Sequence, residues 1–361
     1  MGLRDKIVLF PYYLTLKVRH WLYDTGRKKS VSYDVPVIGV GNVTVGGTGK
    51  TPHIEMLIRM FQDEYRVAVI SRGYRRRTEG FREVSENDDF QDVGDEPLQI
   101  KKKFPSVRVV VDADRCRAVE TLMALGEDER PSLILLDDAF QYRRIVPKVN
   151  IVLVSATRPV FEDHLLPMGR LRDIPSRMKK ADVVVVTKME GEVDSALISF
   201  WREKLSLSQS QSLFFTGLKY GKVVPVFPSE VEPRYEYSRS SVLVTGIADD
   251  APLRKYLERM YEIKHSISFP DHHPFDASDF KRIAVISDKF YTSVVITTEK
   301  DVQRIVGKGD VIPESLKQRM FYVPVAPETL PDVGEERDVA IDFLTKQENE
   351  RFKTEIKCRL L

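Results

Sequence analysis

Short apolar runs recur along the chain, and most are apolar throughout instead of alternating with polar residues. Pro36-Val-Ile-Gly-Val40, Arg66-Val-Ala-Val-Ile70, Val107-Arg-Val-Val-Val111, Ser132-Leu-Ile-Leu-Leu136, Val149-Asn-Ile-Val-Leu-Val154 and Asp182-Val-Val-Val-Val-Thr187 predict six strands. Runs without strict alternation belong to strands buried on both faces, as in a parallel sheet covered by helices. Helical spacing fills the gaps at Thr51–Phe61, Arg115–Leu125 and Ser195–Leu205. Strand and helix in repetition predict a doubly wound α/β sheet.

The rhythm weakens at the polar stretch Ser206–Ser212. Two strand-like runs follow, Ser212–Leu218 and Lys222–Phe227, joined by Lys219-Tyr-Gly221, which predicts a hairpin. Beyond Pro228–Arg239 the α/β pattern restarts. Strands are expected at Ser241–Thr245, Ser266–Phe269, Ser293–Thr297 and Phe321–Val325, and helices at Ala251–Tyr261, Ala277–Lys289 and Ile341–Lys357. The expected organisation is an N-terminal segment over 1–30, a P-loop domain over 31–211, a hairpin linker over 212–239 and a smaller α/β domain over 240–361.

Composition adds few constraints. With 42% hydrophobic and 30% charged residues in 361, the chain can bury a core without disulfides or metals. Its two cysteines, Cys116 and Cys358, have no metal-ligand spacing, and a reducing compartment is the simplest setting for them. A net charge of only +2 gives no global field for nucleic acid. The basic runs Arg72–Arg77, Lys101–Lys103 and Arg143-Arg144 are local, and each can be a solvated face. Near the N-terminus, Ile7–Val18 is apolar and aromatic, flanked by Arg4, Lys6, Lys17, Arg19 and His20. It is too short to span a bilayer, which needs about 20 apolar residues. Two readings remain: a helix in the membrane interface, or a helix docked on the protein's own core.

The strongest chemical signal is Thr44-Val-Gly-Gly-Thr-Gly-Lys-Thr51, between the first strand and the first helix. Glycines let backbone N–H groups of Thr44, Val45, Gly46, Gly47, Thr48 and Gly49 turn around phosphate oxygens, and the helix N-terminus adds partial positive charge. Lys50 reaches the β- and γ-phosphates of a nucleoside triphosphate, and Thr51 offers a hydroxyl to Mg²⁺. Thr44 departs from the strict pattern, which has Gly there. Asp137 and Asp138 end the fourth strand, where P-loop proteins place a Mg²⁺ acid. Asp95, in Gly94-Asp-Glu-Pro97, is either a helix cap or a general base. Asp271-His272-His273 is either a surface turn or a carboxylate-paired base. Val185-Val-Thr-Lys-Met-Glu190 mimics the guanine-reading pattern with both ends altered.

The ordered set of segments resembles the tetraacyldisaccharide 4′-kinase family. Those segments are Pro36–Pro52, Ser71-Arg-Gly-Tyr74, Gly94–Pro97, Asp137-Asp138 with Phe140-Gln141, Leu165–Arg172, Phe269–His273 and Thr298–Asp301, covering roughly residues 36 to 301. The resemblance implies two α/β/α domains joined by a hairpin. It implies transfer of the γ-phosphate of ATP, with Mg²⁺, to the 4′-hydroxyl of an acylated glucosamine disaccharide 1-phosphate, giving lipid IVA in lipid A biosynthesis. It assigns acid–base roles to Asp95 and His272 with Asp271 alongside, and keeps Lys50 and Thr51 on the nucleotide. It puts Asp137 and Asp138 on the metal, and Arg72, Arg115, Gln141 and Arg172 near substrate or phosphates. A substrate whose acyl chains stay in the membrane favours the membrane-interface reading of Ile7–Val18. It makes the enzyme peripheral, on the cytoplasmic face of the inner membrane, with no obligate protein partner. Ala139, Tyr142 and Arg75–Arg77 depart from the common family pattern. A different class, a P-loop switch ATPase or GTPase acting on a protein or metal partner, is the alternative; Val45 stands where many of those have a signature lysine.

Overall fold

A computed structural model describes residues 3–271, 273–332 and 341–361. Twelve of the fourteen strands in the described chain fall in the strand-like runs of the sequence. The strands are β1 Val37–Asn42, β2 Val67–Ser71, β3 Arg82–Glu83, β4 Arg108–Val111, β5 Leu133–Leu136, β6 Val149–Ser155, β7 Val183–Thr187, β8 Ser212–Tyr220, β9 Val224–Pro225, β10 Ser240–Thr245, β11 Glu262–Ser268, β12 Val294–Thr298, β13 Met320–Val323 and β14 Val325–Thr329; β3 and β14 are the exceptions. They form a nine-stranded sheet ordered β14-β8-β7-β6-β1-β5-β2-β4-β3 and a five-stranded sheet ordered β11-β10-β12-β13-β9.

In the larger sheet β8, β7, β6, β1, β5, β2 and β4 run parallel, and β14 and β3 pair antiparallel at the edges. The continuous valine and leucine runs of β1, β2, β5 and β7 are buried on both faces, which is why they do not alternate. β1 lies between β5 and β6, where the direction of winding reverses. The loops leaving its carboxyl end therefore open into a crevice, the usual ligand position in an open α/β sheet.

The linker differs from the expected hairpin. β8 pairs with β7 and β14, whereas β9 pairs with β13, so the two runs do not pair with each other. The chain crosses between the sheets twice, from β8 to β9 and from β13 to β14, and the crossings lie side by side with Gly221 N–H donating to the Pro324 carbonyl at 2.8 Å. Pro324, which has no N–H for a ladder, splits the single strand expected over 321–325. The path after Val325 also differs from the assignment of 240–361 to one domain. β14 joins the first sheet, and the helix Ile341–Leu360 buries Phe352, Ile356 and Leu360 in that sheet's core.

The N-terminal segment is a helix, Leu3–Asp24. Leu9, Leu16 and His20 are buried on its inner face, against the cluster containing Val152, Leu171 and Trp201. On another face Phe10, Leu14, Val18 and Trp21 stay exposed, at 59%, 47%, 46% and 46%. The reading of a helix docked on the protein's own core describes the inner face, and the outer face leaves apolar side chains exposed. Among the described residues no helix is long and apolar enough to cross a membrane.

Candidate functional site

The loop after β1 is pinned from below. Asn42 Nδ2 donates to the Thr48 hydroxyl at 2.8 Å, and the Thr187 hydroxyl donates to the Thr48 carbonyl at 3.0 Å. Gly46, Gly47 and Gly49 have φ of 75°, 49° and 81°, values that a side chain disfavours and a phosphate-wrapping loop needs. Val45 N–H donates to the Arg170 carbonyl at 2.8 Å, and Thr44 bridges Leu171, so the segment Leu165–Arg172 walls the loop. The helix Lys50–Phe61 starts at the loop's end, directing its N-terminus at the crevice.

One brace was not legible as such. His53, buried in the first turn of that helix, has Nδ1 at 2.7 Å from the Gly49 carbonyl and Nε2 at 3.0 Å from the Thr216 hydroxyl. Burial pushes its pKa down to about 4, so the ring is neutral, with Nδ1 donating to the carbonyl and Nε2 accepting from the hydroxyl.

The paired acids after β5 are unlike each other. Asp137 is buried; its Oδ2 accepts from the Ser71 hydroxyl at 3.0 Å, while its Oδ1 is buried with no hydrogen-bond partner. Burial first, then the charges of Glu96 and Asp138, raise its pKa to about 6. Asp138 has φ of 51° and lies 3.4 Å from Lys50 Nζ, with Arg172 Nη1 at 2.8 Å from its Oδ2. Burial acts to raise its pKa, but the Arg172 hydrogen bond and the Lys50 charge outweigh it and hold the carboxyl well below the usual range. Asp138 is thus committed to two cations, and Asp137 keeps an unsatisfied oxygen.

The expected substrate residues separate in the same way. Arg115 is buried beneath the acidic pair, donating to the carbonyls of Asp137 and Asp138 at 2.8 and 3.1 Å and lying over the Tyr142 ring. It shapes the turn. Gln141 donates to the Asn42 carbonyl at 2.7 Å. Arg172 reaches the centre through Asp138, and Arg72 is exposed at the end of β2.

The second sheet supplies the opposite wall. A cavity of about 220 Å³ is lined by Gly49, Lys50 and Thr51 from one side and by Asp249, Asp271 and Lys300 from the other. Lys188, after β7, also lines it; its φ is 58°, and burial lowers its pKa. It comes from the stretch that mimics a guanine-reading pattern. Lys300 Nζ lies 3.5 Å from Asp271 and 3.6 Å from Glu96. Asp95 begins the helix Asp95–Lys103 and is met by Arg304, whose Nη2 is 2.9 Å from its Oδ2. Sequence reasoning stopped at Asp301 and missed Arg304, one helical turn further on.

His272 lies outside the described residues. The neighbouring His273 is committed elsewhere: its Nε2 is 2.7 Å from Asp279, and its ring stacks on Phe269 with centroids 4.5 Å apart. Among the described residues no group of three or more His, Cys, Asp or Glu could hold a metal by itself. The Thr51 hydroxyl and the buried, unpartnered oxygen of Asp137 are donors of the kind a P-loop offers to Mg²⁺.

A family model described as tetraacyldisaccharide-1-P 4′-kinase matches residues 7–339. The chain belongs to this family. It is similar to the tetraacyldisaccharide 4′-kinase of Parabacteroides distasonis, 43% identical over 302 residues and covering 82% of each chain. The tetraacyldisaccharide 4′-kinase of Flavobacterium johnsoniae is 40% identical over 334 residues, 90% of this chain and 93% of the relative. Among solved structures, LpxK from Aquifex aeolicus in complex with ATP superposes with a TM-score of 0.69 at 26% identity, covering 99% of each chain. The family expected from the ordered segments is the family found, and the α/β fold with its large parallel sheet is shared with that structure. A switch ATPase is not favoured.

Proposed function

We propose that this chain transfers the γ-phosphate of ATP to the 4′-hydroxyl of a tetraacylated glucosamine disaccharide 1-phosphate. The observation that carries the reading is a family match across residues 7–339 in a chain with Lys50 and Thr51 in place at the cleft. Phosphoryl transfer needs alignment and charge neutralisation more than covalent help. Lys50, held near Asp138, meets the β- and γ-phosphates, and the helix N-terminus at Lys50 adds its dipole. Thr51 and Asp137 would hold Mg²⁺, which neutralises charge developing on the transferred group. Arg172, oriented by Asp138, presents a guanidinium beside the same phosphates, while Arg115 and Gln141 keep the loops in shape. Asp95, with Asp271 contributed by the other sheet and with the assistance the family resemblance assigns to His272, receives the hydroxyl proton.

The exposed face Phe10, Leu14, Val18 and Trp21 seats the enzyme on the membrane that holds its acceptor's acyl chains, with Lys17 and Arg27 toward anionic headgroups. The chain then acts as a peripheral enzyme on the cytoplasmic face of the inner membrane. The test is transfer of label from γ-labelled ATP to tetraacyldisaccharide 1-phosphate in detergent micelles with Mg²⁺. A labelled bisphosphorylated lipid that disappears with Lys50→Ala supports the reading; labelled inorganic phosphate alone overturns it.

A further inference from the structure

The helices Asp95–Lys103 and Glu299–Val306 belong to different sheets and pack against each other in opposite directions. Their ends are joined by two ion pairs. Arg304, in the last turn of one, meets Asp95, the first residue of the other; Lys103, in the last turn of that helix, meets Glu299, the first residue of its partner, at 2.6 Å. Each pair places an acid at a helix N-terminus and a base at a C-terminus, the polarity both dipoles favour. Lys103 also reaches Glu55, fully buried in the P-loop helix, at 2.7 Å. One contact thus touches the phosphate-loop helix, the Asp95 helix and the second sheet.

The Asp95 end is the more constrained. Arg304 is 2% exposed. Its Nε and Nη2 both donate to Asp95 Oδ2, at 3.1 and 2.9 Å, and its Nη1 donates to Asp301 Oδ1 at 3.0 Å. Asp301 is itself fixed, accepting from Gly246 N–H at 2.8 Å and from the Thr298 hydroxyl at 2.7 Å. The other oxygen of Asp95 accepts Glu96 N–H at 3.0 Å. The carboxylate is therefore aimed by its own helix and by a guanidinium that Asp301, one turn earlier on the same helix of the second sheet, holds from the other side.

We propose that Arg304 is a positioning residue for Asp95, so that the base is aligned only while the two sheets are drawn together through this helix pair. The inference rests on the assignment of Asp95 as the base. Closure of the cleft and alignment of the acceptor's proton partner are then one event, and an enzyme open to water holds a misaligned base.

The experiment is a mutant cycle in the full chain with Mg²⁺, ATP and acceptor micelles, using Arg304→Gln, Arg304→Lys, Asp95→Asn and the double variants with Asp95→Asn. Arg304→Gln is expected to lower kcat by about 30-fold with KM for ATP within about threefold, less than the full loss of a general base. Arg304→Lys restores part of kcat, because it keeps the charge and loses the fork. In the Asp95→Asn background either Arg304 change costs little more, since it acts through a group already removed. Multiplicative losses in the double variants, or an Arg304→Gln enzyme with unchanged kcat, overturn the proposal. If Arg304→Gln does not fold, the same non-additivity is read from Arg304→Lys. Unchanged turnover in Asp95→Asn alone instead overturns the base assignment beneath it.

Discussion

Tyr12 donates a hydrogen bond to the backbone carbonyl of Arg172 at 3.0 Å. One helix therefore exposes Phe10, Leu14 and Trp21 to the outside and, through Tyr12, grips the residue whose guanidinium holds Asp138. His20 reinforces the grip at 2.7 Å from the buried Asp173, and Arg19 donates to the Gln141 carbonyl at 2.7 Å. Tyr12→Phe removes one hydrogen bond and no bulk. We predict a fall in kcat/KM of about three- to tenfold on vesicle-borne acceptor, in keeping with one neutral hydrogen bond. ATP affinity, measured by a fluorescent analogue, should not change; an equal loss of ATP affinity would place the effect in the phosphate loop.

The outward face makes a separate prediction. Replacing Phe10, Leu14 and Trp21 together by Ser should weaken partition onto anionic vesicles by at least about 100-fold, since each large apolar side chain contributes about 1.5–3 kcal/mol when fully buried. Co-sedimentation measures it. The same partition in the triple variant would leave this face without a membrane role.

The two acids should separate by metal dependence. Asp137→Asn removes the carboxylate with the orphan oxygen, and the Mg²⁺ concentration for half-maximal rate should rise by about tenfold or more. Asp138→Asn frees Arg172 and Lys50, and should lower kcat with a smaller shift in Mg²⁺ requirement. The reverse order in a Mg²⁺ titration would exchange their roles.

His53→Leu keeps the volume and deletes both ring contacts, leaving the Thr216 hydroxyl unpaired and the Gly49 carbonyl with only the backbone N–H of residue 53, at 3.2 Å. Stability should fall by about 1–3 kcal/mol, the cost of a buried group left unsatisfied, and KM for ATP should rise because the loop loses its brace. His53→Gln, which can restore one hydrogen bond, should recover part of both in thermal melts and steady-state kinetics.

The core of the fold was open to reading because doubly buried strands write their burial directly into valine and leucine runs, as in β5 and β7. The edges were not. β3 has two residues and β14 carries the mixed run Val325–Thr329, so neither stands out from a loop. Their pairing depends on contacts distant in sequence, and the same distance concealed the return of Phe352 and Ile356 to the first sheet. At the site, Lys50 and Thr51 stand in a local phosphate-loop pattern, whereas Asp95 and the pair Asp137-Asp138 gain their expected roles from the family resemblance. Arg304 and His53 were not legible, because an arginine or a histidine inside a helix has no pattern until its partners, Asp95 and Thr216, are brought up by the fold. The signal available for Arg304 was its spacing from Asp301, three residues along a helix that opens at a strand end.

The most direct test of the central claim is ³¹P NMR of the purified enzyme incubated with ATP, Mg²⁺ and tetraacyldisaccharide 1-phosphate in micelles. The account predicts that one new phosphomonoester resonance, assigned by its proton coupling to the 4′ position, grows in step with ADP and is absent with Lys50→Ala. ADP and inorganic phosphate appearing while the acceptor keeps a single phosphate would contradict it.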